Sequence, residues 1–131
     1  MPQAISLLGL DLRIEGSILE MRPEGDRTPQ HEKEGAKLFA MLCSKSVQGI
    51  LIDLRTAFYH LDDIGVEERT RLVAKGCAGR AVAYVARTDQ EALVEAAILR
   101  HSKQNSESHR FVSAKLARNW LNDRVGAMQQ P

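Results

Sequence analysis

Apolar positions along the chain follow two different periods. Leu10, Leu12 and Ile14 alternate with Asp11, Arg13 and Glu15, the two-residue period of a half-buried strand. Gly16-Ser17 interrupts that pattern and Ile18-Leu19-Glu20-Met21 resumes it, so the two runs predict a β-hairpin. Gly49 then opens Ile50-Leu51-Ile52-Asp53-Leu54, and 81–86 is almost as apolar. Short continuous runs of this kind predict central strands covered on both faces. A further short strand is expected at 109–112.

The other stretches repeat at helical spacing. Thr28-Pro29 reads as an N-cap with proline at the first helical position. Ala36, Phe39, Ala40 and Cys43 follow on one face, widened by Leu38 and Leu42. A second helix is expected over about 64–78, with Val66, Thr70, Val73, Ala74 and Cys77 inward and glycines at its end. Thr88 and Glu91 have capping-box spacing before a third helix bearing Leu93, Ala96 and Ala97. Ser113 can cap a fourth, which carries Leu116, Ala117, Trp120 and Leu121. Segments 22–30 and 57–63 read as loops, and the Ser-rich 102–108 as a mobile connection. The order β-β-α-β-α-β-α-β-α predicts one α/β domain over 1–131, a mixed sheet of about five strands with four flanking helices.

This layout resembles the SpoIIAA-like, or STAS, fold of anti-sigma-factor antagonists and of the cytosolic domains of sulphate transporters. The resemblance rests most on Ile50-Leu51-Ile52-Asp53-Leu54-Arg55, followed by an apolar-containing loop, two Asp, and a helix starting near Gly65-Val66. The run from Arg80 through Val85 and the closing Trp120-Leu121 helix are similar to small stand-alone members of that group. The resemblance implies a non-enzymatic regulatory or binding module. Antagonist members carry an Asp-Ser-Ser-Gly-like motif with a phosphorylated serine, whereas this chain reads Asp62-Asp63-Ile64-Gly65, with no serine between Ser46 and Ser102. The usual phosphoswitch is therefore missing. Asp62 or Asp63 would either supply a fixed negative charge favoured by the helix dipole or serve as an ordinary N-cap.

Composition narrows the function classes. The chain has 131 residues, 44% apolar and 27% charged, with a formal net charge of +1. That is one ordinary globular domain. The charge balance and the few aromatic residues argue against nucleic-acid binding. No run approaches the ~20 apolar residues that span a bilayer, so membrane insertion is not expected. Two cysteines, Cys43 and Cys77, lie in apolar surroundings without metal-ligand spacing and read as free thiols in a cytoplasmic protein.

Candidate chemistry is sparse. No two histidines are placed as zinc ligands, no phosphate-binding loop or nucleophile elbow is present, and no cofactor is expected. His31 and His101 sit at helix ends, where solvent exposure is the ordinary outcome. Cys77 ends a helix, the wrong end of the dipole for a reactive thiolate. The cluster Asp53, Asp62, Asp63, Glu67 and Glu68 could attract a hard cation, but a solvated helix start explains it as well. His60 lies at the carboxyl end of the central strand, where open α/β sheets bind ligands. The binding surface is accordingly expected at Asp53, Thr56, Phe58, Tyr59, His60, Asp62 and Asp63, facing a protein partner or small ligand. Two alternatives stand beside it: a carrier for an apolar or acyl ligand, lined by Ala92, Ala96, Ala97, Ala114 and Ala117, and an enzyme using Asp62, Asp63 and His60 as acid and base. An edge strand or exposed helix offers a route to a homodimer.

Overall fold

The two aliphatic runs occupy the middle of a six-stranded sheet. In the computed structural model, which describes residues 3–7, 9–43, 46–60 and 63–128, β5 (Gly49–Asp53) and β7 (Ala81–Val85) are buried at every position and pair in parallel. Around them the chain forms β1 (Gln3–Leu7), β2 (Leu10–Glu15), β3 (Ile18–Pro23), β4 (Gly25–Arg27), α1 (Pro29–Leu42), β6 (Ala57–Tyr59), α2 (Asp63–Gly76), α3 (Glu91–Ser102), β8 (Ser108–Phe111) and α4 (Ala114–Met128). The sheet order is β1-β2-β3-β5-β7-β8, and β4 pairs with β6 in a separate two-stranded ribbon. β1, β2 and β3 are antiparallel, and β3, β5, β7 and β8 are parallel.

All five expected strands are present. The sixth, β1, extends the hairpin edge, where its run of apolar residues showed no two-residue alternation to announce it. The ribbon arises from two segments expected as loops. Gly25 pairs with Ala57, Asp26 with Phe58 and Arg27 with Tyr59 across some thirty residues of chain, so neither half could be read from local pattern.

Alternation divides the sheet into two cores. Ile50, Ile52, Val82 and Tyr84 point toward α1, α2 and α3, where Phe39, Val73, Cys77, Val94 and Ala97 pack on them. Leu51, Ala81, Ala83 and Val85 point the other way, toward Ala117 and Leu121 of α4. Small residues on this second face let α4 lie close. A Cβ on Gly49 would come within 2.9 Å of Val125 Cγ2 and 3.3 Å of Leu121 Cδ2. No helix among the described residues is long and apolar enough to cross a membrane.

Two of the caps form as the sequence suggests. Thr28 Oγ1 accepts from the His31 amide at 3.1 Å, and Ser113 Oγ accepts from Leu116 N at 3.2 Å. The expected box between Thr88 and Glu91 does not form. Thr88–Gln90 is a 3-10 turn, and Gln90 Oε1 accepts from the Arg87 amide at 3.0 Å instead. Within the Ser-rich connection expected to be mobile, Ser106 is an anchor: it is buried, donates to Cys77 O at 2.7 Å and accepts from Gly79 N at 3.1 Å.

Candidate functional site at the carboxyl edge of the sheet

The parallel strands end together at one edge, and the β4–β6 ribbon lies beyond the exit of β5. Gln90 fastens it there. Its buried side chain donates to Leu54 O at 2.8 Å and to Ala57 O at 3.1 Å, so one amide group ties both ends of the turn out of β5. Arg87 adds a second clamp through Ala57 O at 3.2 Å and a bond to Arg55 O. Thr56 Oγ1 donates to Pro23 O at 3.1 Å, and Gly25 N donates to Thr56 O at 2.9 Å. Thr56 thus joins the two parts of the ribbon.

The expected binding residues do not converge on one point. Asp53, on the α4 side of the sheet, is bound by Arg55 at 3.0 Å and 2.8 Å and by the Arg55 amide at 3.1 Å. Burial alone would raise the Asp53 carboxyl, but Arg55, with Arg22 farther off, holds it below the ordinary range. Tyr59 turns back into the protein on the opposite side of the sheet. Phe58 points outward, 52% exposed, with the Arg87 guanidinium 4.8 Å from its ring centroid. His60 Nε2 lies 3.0 Å from Asp26 Oδ1, an orienting partner that only the β4–β6 pairing brings near. Both side chains are more than two-thirds exposed, so bulk water surrounds the pair. Asp62 lies outside the described residues, as does the side chain of Asp63, whose backbone begins α2.

Beneath the ribbon is a charged network that sequence reading missed. Glu32 on α1 takes one guanidinium on each oxygen, Arg27 Nε at 2.7 Å and Arg69 Nε at 3.1 Å. The Arg27 and Arg69 side chains are only 1% and 2% exposed. Arg27 also donates to Gly9 O at 3.2 Å, and Arg69 donates to the Tyr59 hydroxyl at 3.3 Å while stacking over its ring at 4.9 Å. Burial pushes the Tyr59 hydroxyl up against the opposing pull of Arg69, so it stays neutral. Gly35 makes room for this arrangement, since a Cβ there would meet Leu10 Cδ1 at 2.9 Å. The signal for Arg69 was its place four residues before Val73 and eight before Cys77, on the inner face of α2.

The remaining reactive groups are shut inside. His101 is fully buried, contrary to the exposed helix end expected of it, with Nε2 2.6 Å from the Tyr84 hydroxyl. Burial, aided by the charge of Arg69, lowers its pKa to about 4. Its spacing from Val94 and Ala97 already placed it on the core face of α3. Cys77 is buried, and burial raises its thiol well above the ordinary value, the opposite of an activated nucleophile. Of the acidic cluster, Asp53 is held by Arg55 and Glu67 pairs with Arg100, while the side chains of Asp62, Asp63 and Glu68 lie outside the described residues; no group of three His, Cys, Asp or Glu among the described residues could hold a metal ion. The alanines expected to line a ligand cleft are divided. Ala97 packs on one face of the sheet and Ala117 on the other, while Ala92 and Ala96 face solvent.

A mixed sheet with three helices on one face, one on the other, and an open carboxyl edge defines the α/β class. Within it, the chain has the SpoIIAA-like fold. A solved structure of an uncharacterised protein of the DUF3478 family from Shewanella loihica PV-4, itself described as SpoIIAA-like, matches with a TM-score of 0.62 over 92% of this chain and 95% of that one. Sequence identity between the two is 16%. No protein-family model matches the chain, and neither does any curated protein.

Proposed function

We propose that the chain is a non-enzymatic binding module of the STAS type that docks a protein partner on the β4–β6 ribbon, with Phe58 as the anchor. One observation carries this reading: Phe58 is held outward on a ribbon whose backbone is fastened at Leu54, Thr56 and Ala57. Gln90, Thr56 and Arg87 fix the backbone on both sides of it, and Arg87 also covers one region of the ring. An aromatic side chain presented on a rigid backbone loses little entropy on docking, and aromatic and Arg side chains dominate interface energetics. Three groups that could do covalent chemistry support the same reading, because Asp53 is ion-paired and Cys77 and His101 are enclosed, and the exposed His60–Asp26 pair stands in bulk water. Where the antagonists' motif carries its phosphorylated serine, the sequence here reads Asp62-Asp63-Ile64-Gly65, which supports a module without that serine switch.

The test is quantitative recovery of partners on immobilised wild-type protein and on Phe58→Ser. Tyr59 is left intact, because its hydroxyl belongs to the buried network. The account expects the specific partners of the wild type to fall at least tenfold on Phe58→Ser, with the melting temperature unchanged. Equal recovery from both proteins would refute it.

A further inference from the structure

We propose that the open edge of β8 pairs with the β8 of a second copy of this chain, antiparallel and about a twofold axis at His109. Among the described residues β8 has one neighbour, β7. The Val82 amide donates to Glu107 O at 2.8 Å. Backbone groups alternate sides along a strand, so the N–H and C=O of Ser108 and of Arg110 point away from the sheet. Those four groups bond to nothing among the described residues. Beside them, on the α4 face, lies an aromatic shelf. The Trp120 ring centroid is 5.1 Å from that of His109 and 5.6 Å from that of Phe111. Leu116, one turn before Trp120 on the same side of α4, is 49% exposed.

The edge is complementary to itself in one register. A twofold pair of strands runs antiparallel, and one residue faces its own copy. Centring on Arg110 would set two guanidiniums directly opposite each other, which is destabilising. Centring on Ser108 would pair Arg110 with Ser106, whose amide is already given to His101 O at 3.1 Å. Centring on Phe111 would run the pairing past the end of β8 into the start of α4. Centring on His109 meets none of these obstacles. Ser108 then faces Arg110 of the copy on both sides of the axis, and all four outward groups of each chain are used in four hydrogen bonds. On the α4 face, Glu107 falls diagonally across from the copy's His109, and each aromatic shelf continues into the other without two guanidiniums or two carboxylates face to face. Arg110 thus guards the edge against one register and permits another. The ribbon bearing Phe58 contributes nothing to this edge, so the pairing and that docking surface can fail separately.

Sedimentation equilibrium of the full chain from micromolar to millimolar concentration tests the pairing. The wild type should pass from the mass of one chain to that of two. Arg110→Pro removes the outward amide but suits an extended edge strand. It deletes two of the four bonds between chains and should weaken the dimer at least about tenfold. Arg110→Ala removes the side chain, keeps the amide and should dimerise as the wild type does. A wild type that stays at the mass of one chain would overturn the proposal. So would an Arg110→Pro dimer as tight as the wild type, which would put the interface elsewhere, or a loss in Arg110→Ala equal to that in Arg110→Pro. If Arg110→Pro does not fold, amide exchange of the wild type decides. Protection of the Ser108 and Arg110 amides that falls on dilution supports the pairing, and free exchange of both at high concentration overturns it.

Discussion

Lowering the pH from 7.5 to 5 should charge a group that the fold keeps neutral. His101 is fully buried against Tyr84, and its Nδ1 has no partner among the described residues, so protonation would put a full charge with an unmatched Nδ1–H into the core near Arg69. Its folded pKa of about 4 lies below the ordinary 6.5. Between those values the unfolded chain binds the proton and the folded chain does not. Stability is therefore complete above pH 6.5 and is lost as the pH falls toward 4. With these two values the linkage relation gives a loss of about 2 kcal/mol at pH 5, rising to roughly 3 kcal/mol near pH 4. The effect is a sizeable share of the ~5–15 kcal/mol that stabilises a domain. Carboxylates titrate in the same region, so the assay is a difference. Urea unfolding free energies of the wild type and of His101→Gln, which retains a polar atom for the Tyr84 hydroxyl but cannot titrate, are compared at pH 7.5 and 5. The wild type should lose about 2 kcal/mol more than the variant. Parallel losses would refute the argument, as would an imidazole resonance of His101 that titrates near pH 6.5 in the folded protein.

Two further perturbations probe other parts of the structure. Glu32→Gln keeps the shape of the side chain but leaves Arg27 and Arg69 facing one another without their shared countercharge; urea denaturation should show a loss of about 3–5 kcal/mol, and a loss under 1 kcal/mol would contradict the network. Gly49→Val would drive side-chain atoms into Val125 and Leu121, with an expected cost of about 1–3 kcal/mol in the same assay, and an unchanged midpoint would show that α4 does not lie so close.

The fold was legible wherever one segment carried its own signal. The runs at β5 and β7 are buried at every position, as continuous aliphatic strands should be. Thr28 and Ser113 act as caps because each hydroxyl directly precedes its helix and reaches the amide three residues on, whereas at Thr88 a 3-10 turn intervenes. What escaped depends on partners distant in sequence. β4 and β6 are three residues each and exist by pairing with one another. Arg27 and Arg69 look like solvated charges until Glu32 stands between them. Of the expected binding residues, Phe58 and His60 do reach the outer surface of the carboxyl edge. Asp53 and Tyr59 are consumed on opposite sides of the sheet, and their side-chain types alone could not reveal it. His101 is the instructive miss, because helical spacing from Val94 and Ala97 outweighs the general tendency of helix ends to be wet.

The rigidity of the ribbon that presents Phe58 is open to direct measurement by amide hydrogen exchange. The Gly25 amide, bonded to Thr56 O, and the Ala57 amide, bonded to Leu54 O, should exchange orders of magnitude more slowly than an unstructured chain. Exchange of these two amides at the rates of a free loop, with β5 and β7 still protected, would mean that no preformed platform exists.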